Sequence, residues 1–321
     1  MQYKYLAAID IGTNSFHMII VKLLEDGAFR IIDREREVIR LGSLTGNNLS
    51  QINEDEILRA IKILNKFKKV AAFYGATIKA AATSAVREAN NKKEFVERVF
   101  SETGIKIEII SGNDEARLIY LGISKALPVG NKKFLCIDIG GGSTEFILAD
   151  KGNIIYAESV KVGAVRLSKK YFDNYILTEK SVKECSDFVE QQILSNKNIR
   201  LEETFDMAIG SSGTIESVAA MVSSIKKNTQ VKSFNNFSYS KKDLYRTVEN
   251  ILEKKTSQER LTIKGLEAKR ADIIPAGVII LKKIFELFRI EEIIISEFAL
   301  REGIIFDFIY KNDLPAADFF S

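Results

Sequence analysis

The sequence predicts an α/β fold built twice: two domains, each a mixed β-sheet flanked by helices, facing one another across a cleft. Three observations predict it. The pattern Ala8-Ile9-Asp10-Ile11-Gly12-Thr13-Asn14-Ser15 returns as Cys136-Ile137-Asp138-Ile139-Gly140-Gly141-Gly142-Ser143-Thr144. Each copy opens a run of three β-prone stretches. Each run is then followed by alternating helical and strand patterns, which argues for a duplicated α/β domain rather than a single barrel. A chain of 321 residues can bury two cores. The expected domains are 1–126 and 127–321, with the last helix, about 299–311, packing back on the first.

The first domain opens with strands expected over 3–11, 16–24 and 28–40. Residues 54–74 then place Ile57, Leu58, Ile61, Leu64 and Phe67 at the spacing of an amphipathic helix. A strand at 77–82, a helix near 91–103, a strand at 105–110 and a helix from Gly112 to about 126 follow. Pro128-Val129-Gly130-Asn131 carries the breakers of a linker. The second domain repeats the opening, with strands near 133–139, 144–150 and 153–162. Helices at about 164–173 and 178–196, a strand at 205–210 and a helix at 213–224 come next. Helices near 240–255 and 275–289, a strand at 293–296 and the final helix complete the chain.

Composition narrows the function. With 46% hydrophobic and 28% charged residues, the chain reads as an ordinary soluble globular protein. It has no apolar run near the roughly 20 residues that cross a bilayer, so no membrane association is expected. The first residues enter a strand at once, which is not the pattern of a signal peptide. Two cysteines, Cys136 and Cys185, fit a reducing cytoplasm, with Cys136 a packed core thiol. A net charge of +4 with scattered lysines is not the footprint of a nucleic-acid partner. The single histidine, His17, excludes a multi-histidine metal cluster within the chain, and its alternating strand position gives it a structural role.

The repeated turns carry the chemistry. Glycines allow close backbone approach and aim successive N–H groups inward, making an anion cradle. Gly12, Thr13, Asn14 and Ser15, and Gly140, Gly141, Gly142, Ser143 and Thr144, are therefore candidate phosphate-binding residues. A third candidate is Gly210-Ser211-Ser212-Gly213, between a strand and a helix whose N-terminus favours an anion. The plain reading of that segment is a helix cap by Ser212 or Thr214, and the two readings can both hold. Asp138 and Glu145 stand seven residues apart across the second turn, and on a hairpin both carboxylates can face the same side. Hard oxygen ligands of this kind suit magnesium, with Asp10 as the partner from the first domain. On spacing alone, Glu115 is an acid in a first helical turn, easily confused with Asp114.

Further segments join these: Ala82-Thr83-Ser84-Ala85-Val86-Arg87, Ile110-Ser111-Gly112-Asn113-Asp114-Glu115-Ala116-Arg117, Gly210-Ser211-Ser212-Gly213-Thr214, Arg270-Ala271-Asp272 and Ser296-Glu297-Phe298-Ala299-Leu300-Arg301-Glu302-Gly303. In this order, over essentially the whole chain, they resemble the exopolyphosphatase/guanosine pentaphosphatase (Ppx/GppA) family of the actin-like ATPase superfamily. The resemblance implies two ribonuclease-H-like domains flanking a cleft. It implies hydrolysis of a terminal phosphoanhydride in inorganic polyphosphate or guanosine pentaphosphate, with Mg2+ as cofactor and Mn2+ as the alternative. By the same resemblance Glu115 activates the attacking water and Arg87 clamps substrate.

The length matches the short two-domain members, so high processivity on long polymer is not expected. A homodimer is the assembly to consider. Two other classes compete: a phosphotransferase passing phosphate from polyphosphate to ADP, and a non-catalytic sensor of guanosine tetraphosphate.

Overall fold

The computed structural model describes residues 4–312 and 314, apart from 26–27, 42, 46–47, 227–230 and 232. The chain divides into two compact units, Met1–Pro128 with Phe298–Ser321, and Val129–Glu297.

In the first unit β1 (Tyr5–Ile11) and β2 (Ser15–Leu23) are nearly continuous apolar runs, as strands covered on both faces must be. β3 (Phe29–Val38) closes the meander at the sheet edge. Its run Asp33-Arg34-Glu35-Arg36-Glu37 is charged, which discourages pairing with another strand. A two-stranded hairpin of β4 (Ser43–Thr45) and β5 (Asn48–Gln51) follows.

Helix α1 (Glu54–Tyr74) starts at a capping box in which Asn53 and Glu56 satisfy one another's backbone N–H groups, and stops at Gly75 in the left-handed conformation. Then come β6 (Thr77–Ala82), α2 (Ser84–Glu88), α3 (Lys92–Thr103), β7 (Ile107–Ile109) and α4 (Gly112–Ser124). The sheet order is β3-β2-β1-β6-β7, antiparallel through the meander and parallel from β1 onward.

The second unit repeats this plan with β8 (Phe134–Ile139), β9 (Thr144–Asp150), β10 (Asn153–Val160), α5 (Ala164–Tyr171), α6 (Glu179–Leu194), β11 (Met207–Ser211) and α7 (Gly213–Ile225). The chain continues through β12 (Ser238–Ser240), α8 (Lys241–Glu253), α9 (Ser257–Arg260), α10 (Ile274–Leu287) and β13 (Glu292–Ile295). The sheet order is β10-β9-β8-β11-β13-β12, the first unit's order with one antiparallel strand added at its edge. The duplicated α/β architecture with two mixed sheets is thus borne out.

Helix α11 (Leu300–Lys311) packs on α4 and β1 within the first unit. An Arg117–Asp307 ion pair of 2.8 Å ties α4 to α11. Phe298 and Phe306 pack on Phe29 of β3.

The short elements β4, β5, α2, β12 and α9 were not anticipated, because segments this brief carry no readable period. Among the described residues no helix is long and apolar enough to cross a membrane. Cys136 and Cys185 are both buried thiols. Burial first, then the nearby Asp138 and Glu145 carboxylates, push the Cys136 thiol far above its usual range, so it is a core residue.

Candidate active site

The second glycine turn joins β8 to β9, and its register decides which side chains meet. Asp138 lies directly opposite Glu145, Glu145 opposite Ser159 of β10, and Asp138 beside Ser211 of β11. Residues in register across strands share a face, so these four form one row. Ser211 donates to Asp138 Oδ2, while Ser143 and Ser159 both donate to Glu145 Oε1, at 2.7 and 2.8 Å. Glu145 is 1% exposed, and three hydroxyl groups hold the two carboxylates in place.

Two carboxylates directly opposite on a hairpin, Glu145 buried and Asp138 part-buried, repel, and a cation between them would offset that. This donor set fits a divalent ion that takes the rest of its ligands from water and phosphate, as Mg2+ does. No group of three or more acidic, histidine or cysteine side chains gathers among the described residues. Asp10, the third acid expected for the metal, belongs to the first unit, and Asp138 and Glu145 to the second.

The first turn, between β1 and β2, has the same register. Asp10 lies opposite His17, His17 opposite Arg36, and Asp10 beside Ala81. Ser15 Oγ is 2.7 Å from His17 Nε2. Thr13 and Asn14 are buried, yet Thr13 Oγ1 and Asn14 Oδ1 have no hydrogen-bond partner among the described residues. Buried polar atoms left so are rare and point to a ligand or ordered water.

Glu115 and Asp114, adjacent in sequence, have opposite surroundings. Ser111 caps α4 by accepting from the Asp114 N–H, and its hydroxyl donates to Asp114 Oδ2 at 2.6 Å, so exposed Asp114 belongs to the cap. Glu115 is 7% exposed, and its Oε2 accepts from Arg87 Nη1 at 2.8 Å. The same Arg87 nitrogen also donates to the Ile110 carbonyl at 3.0 Å. Arg87 stands on α2 rather than on a loop, and it binds the candidate base itself.

At the third segment Gly210 packs under Ile215 and Ile293, a position of packing rather than of ligand approach. Ser212 has φ of 99°, a strained value for a residue with a side chain, and its Oγ has no hydrogen-bond partner among the described residues. The side-chain cap open to Ser212 is not made. Arg270 lies over Gly213, where a β-carbon would stand 1.6 Å from its Nη2.

A family model described as the Ppx/GppA phosphatase family matches residues 20–312. The chain belongs to that family. A Haemophilus influenzae relative is 31% identical over 96% of this chain and 92% of its own length. The Photobacterium profundum guanosine-5'-triphosphate,3'-diphosphate pyrophosphatase is 28% identical over 95% of this chain, which spans 59% of that longer protein. A crystal structure of an exopolyphosphatase from Cytophaga hutchinsonii superposes with a TM-score of 0.87 at 27% identity, covering 97% of this chain and 98% of that one. The family read from the motifs is borne out.

Sequence reasoning missed the surroundings of several candidate residues. Ser159, which holds Glu145, sits in a strand with no motif around it. Arg270 was quoted as part of a motif without a role. Arg117, for which sequence leaves open a carboxylate partner or substrate, pairs with Asp307.

Proposed function

We propose that this chain is a divalent-cation-dependent phosphoanhydride hydrolase that removes the terminal phosphate of inorganic polyphosphate, with the 5′-terminal phosphate of guanosine pentaphosphate as the second substrate. The observation that carries the reading is the buried Glu115 carboxylate held by Arg87 at the start of α4. An acid that only served the helix dipole would sit in water, as Asp114 does. Family membership and the names of the relatives support the same reaction class.

The roles follow from what each group can do. Glu115 takes the proton of a water that attacks the terminal phosphorus, and the bond to the bridging oxygen breaks as the new P–O bond forms. Arg87 fixes the carboxylate's orientation and brings positive charge to it. The amides of the glycine turns, with the side chains of Thr13, Asn14 and Ser15, supply donors to phosphate oxygens; contrary to the expectation from sequence, the Ser143 hydroxyl is spent on Glu145 and the buried Thr144 hydroxyl on the Val162 carbonyl. Strained Ser212, at the N-terminus of α7, adds donors of the same kind. Asp138 and Glu145 would hold the cation, with Asp10 as a further acid near phosphate, and the cation when bound would neutralise charge on the phosphate oxygens.

The test is release of free phosphate from short polyphosphate, long polyphosphate and guanosine pentaphosphate with Mg2+, together with ATP formation when ADP is added. Steady phosphate release without ATP formation is expected, with short polyphosphate as good a substrate as long. ATP formation in place of free phosphate would make the protein a phosphotransferase. Nucleotide binding with no release would make it a sensor.

A further inference from the structure

The second glycine turn is gripped by its carbonyl oxygens. The Ala164 N–H donates to the Gly140 carbonyl at 3.0 Å, and the Val165 and Arg166 N–H groups both donate to the Gly141 carbonyl at 2.9 and 3.0 Å. Arg166 then turns its side chain onto the next oxygen, its Nε donating to the Gly142 carbonyl at 2.6 Å. Arg166 is 6% exposed, so a guanidinium has left bulk water to reach that oxygen. Gly163 lets the helix come close: a β-carbon there would stand 2.5 Å from Gly141 O and from Gly142 C. The Gly141, Gly142 and Ser143 N–H groups donate to no backbone carbonyl among the described residues.

The first turn carries an independent version of the same grip. Asn14 holds the place that Gly142 holds in the second turn, four residues after the aspartate. Its carbonyl accepts from both the Ile39 and Arg40 N–H groups, at 3.0 Å each. Arg40 adopts φ of 58° at that point, a left-handed conformation uncommon for a residue with a side chain. One unit uses a buried guanidinium and the other a strained backbone, and both hold the same carbonyl of the turn. A device reached twice by different chemistry points to the carbonyl's direction as the thing being controlled.

We propose that Arg166 is a positioning residue for phosphoanhydride hydrolysis: it fixes the Gly142 carbonyl so that the neighbouring amides present N–H groups to the phosphate. The proposal rests on the phosphohydrolase reading above. A peptide that rotated would offer phosphate an oxygen in place of a donor, turning attraction into repulsion. Arg166 therefore acts through the turn and needs no contact with substrate. In the basic segment 161–166, whose charge alone would suggest contact with a polyanion, the arginine reaches the turn's backbone.

The experiment compares wild type with Arg166→Met, Arg166→Lys and Gly163→Ala. Arg166→Met keeps an apolar stem and removes the donors; Gly163→Ala displaces the turn without altering charge. In both, kcat for phosphate release should fall about 100-fold with KM little changed, the expected cost of displacing a transition-state donor. Arg166→Lys, with one charged donor, should recover part of that loss. In 15N-glycine-labelled protein the Gly141 and Gly142 amide resonances should move in both variants without substrate, and inorganic phosphate should shift them less than in wild type.

A merely structural arginine would lower the melting midpoint and leave kcat of the folded fraction, and these resonances, unchanged; that result overturns the proposal. Where Arg166→Met does not fold, Gly163→Ala and Arg166→Lys give the same readouts. If wild type releases no phosphate, the hydrolase reading fails by itself. The glycine resonances and their phosphate response then still decide the grip: unmoved in the variants, they overturn it.

Discussion

Seven residues after the aspartate near the end of β1 stands His17; seven residues after the aspartate near the end of β8 stands Glu145. Each lies directly opposite its aspartate, and each is 2.7 Å from the hydroxyl of its turn's serine, Ser15 or Ser143. The next residue in the first row is Arg36, and in the second it is Ser159. One row therefore sets a carboxylate among basic side chains, while the other sets two carboxylates among hydroxyls. The backbone was kept in both copies and the charge was not. The second row, with two carboxylates, calls more strongly for a cation beside phosphate than the first, which is the ground for the metal role proposed for Asp138 and Glu145.

Substitutions on the two rows sharpen or break that contrast. The largest effect is expected for Glu145→Gln and Asp138→Asn: phosphate release falls about 100-fold or more, and Mn2+ binding followed by magnetic resonance is lost with it. Removing divalent ions with a chelator should stop wild-type turnover, and adding Mg2+ should restore it. His17→Gln should leave Mn2+ binding intact; loss there equal to that in Glu145→Gln would abolish the distinction between the rows. Ser159→Ala, which removes one of the two hydroxyls on Glu145, should cost about tenfold in cation affinity.

The same contrast predicts a stability effect of opposite sign. Without cations, Glu145→Gln relieves repulsion with Asp138 and should stabilise the protein by about 0.5 kcal/mol in urea unfolding; His17→Gln has no such repulsion to relieve.

A control lies away from both turns. Burial works against the Asp307 carboxylate, but hydrogen bonds from Lys311 and Arg117 and their charges outweigh it and hold its pKa below the ordinary 3.8. A lowered folded-state pKa means stability that is present above the unfolded value and is lost as pH falls through the folded one. Asp307→Asn should therefore cost about 1 kcal/mol at neutral pH, and the difference from wild type should vanish in acid.

Much of this was legible before any coordinates. The twin turns announced themselves by an aspartate, small residues and flanking β-prone runs, all local signals. The 3.6-residue spacing marked α1, and the family motifs marked Glu115. Spacing could not separate Glu115 from Asp114, because the difference is tertiary: a cap made by Ser111 on one side, and burial against Arg87 on the other. Ser159's contact with Glu145 and Arg166's contact with the turn were invisible for the same reason. Ser159 reaches Glu145 through strand register, and Arg166 reaches Gly142, 24 positions earlier in sequence, through helix packing. The side-chain cap open to Ser212 is not made, and composition does not reveal a backbone φ of 99°.

The most direct measurement is the turnover of Glu115→Gln beside Asp114→Asn, with Mg2+ present and polyphosphate affinity determined separately. Glu115→Gln should lose about 100-fold or more in phosphate release while still binding polyphosphate, and Asp114→Asn should keep most of its rate. A Glu115→Gln enzyme that turns over like wild type, or a loss that falls on Asp114→Asn instead, contradicts the assignment of Glu115 as the base.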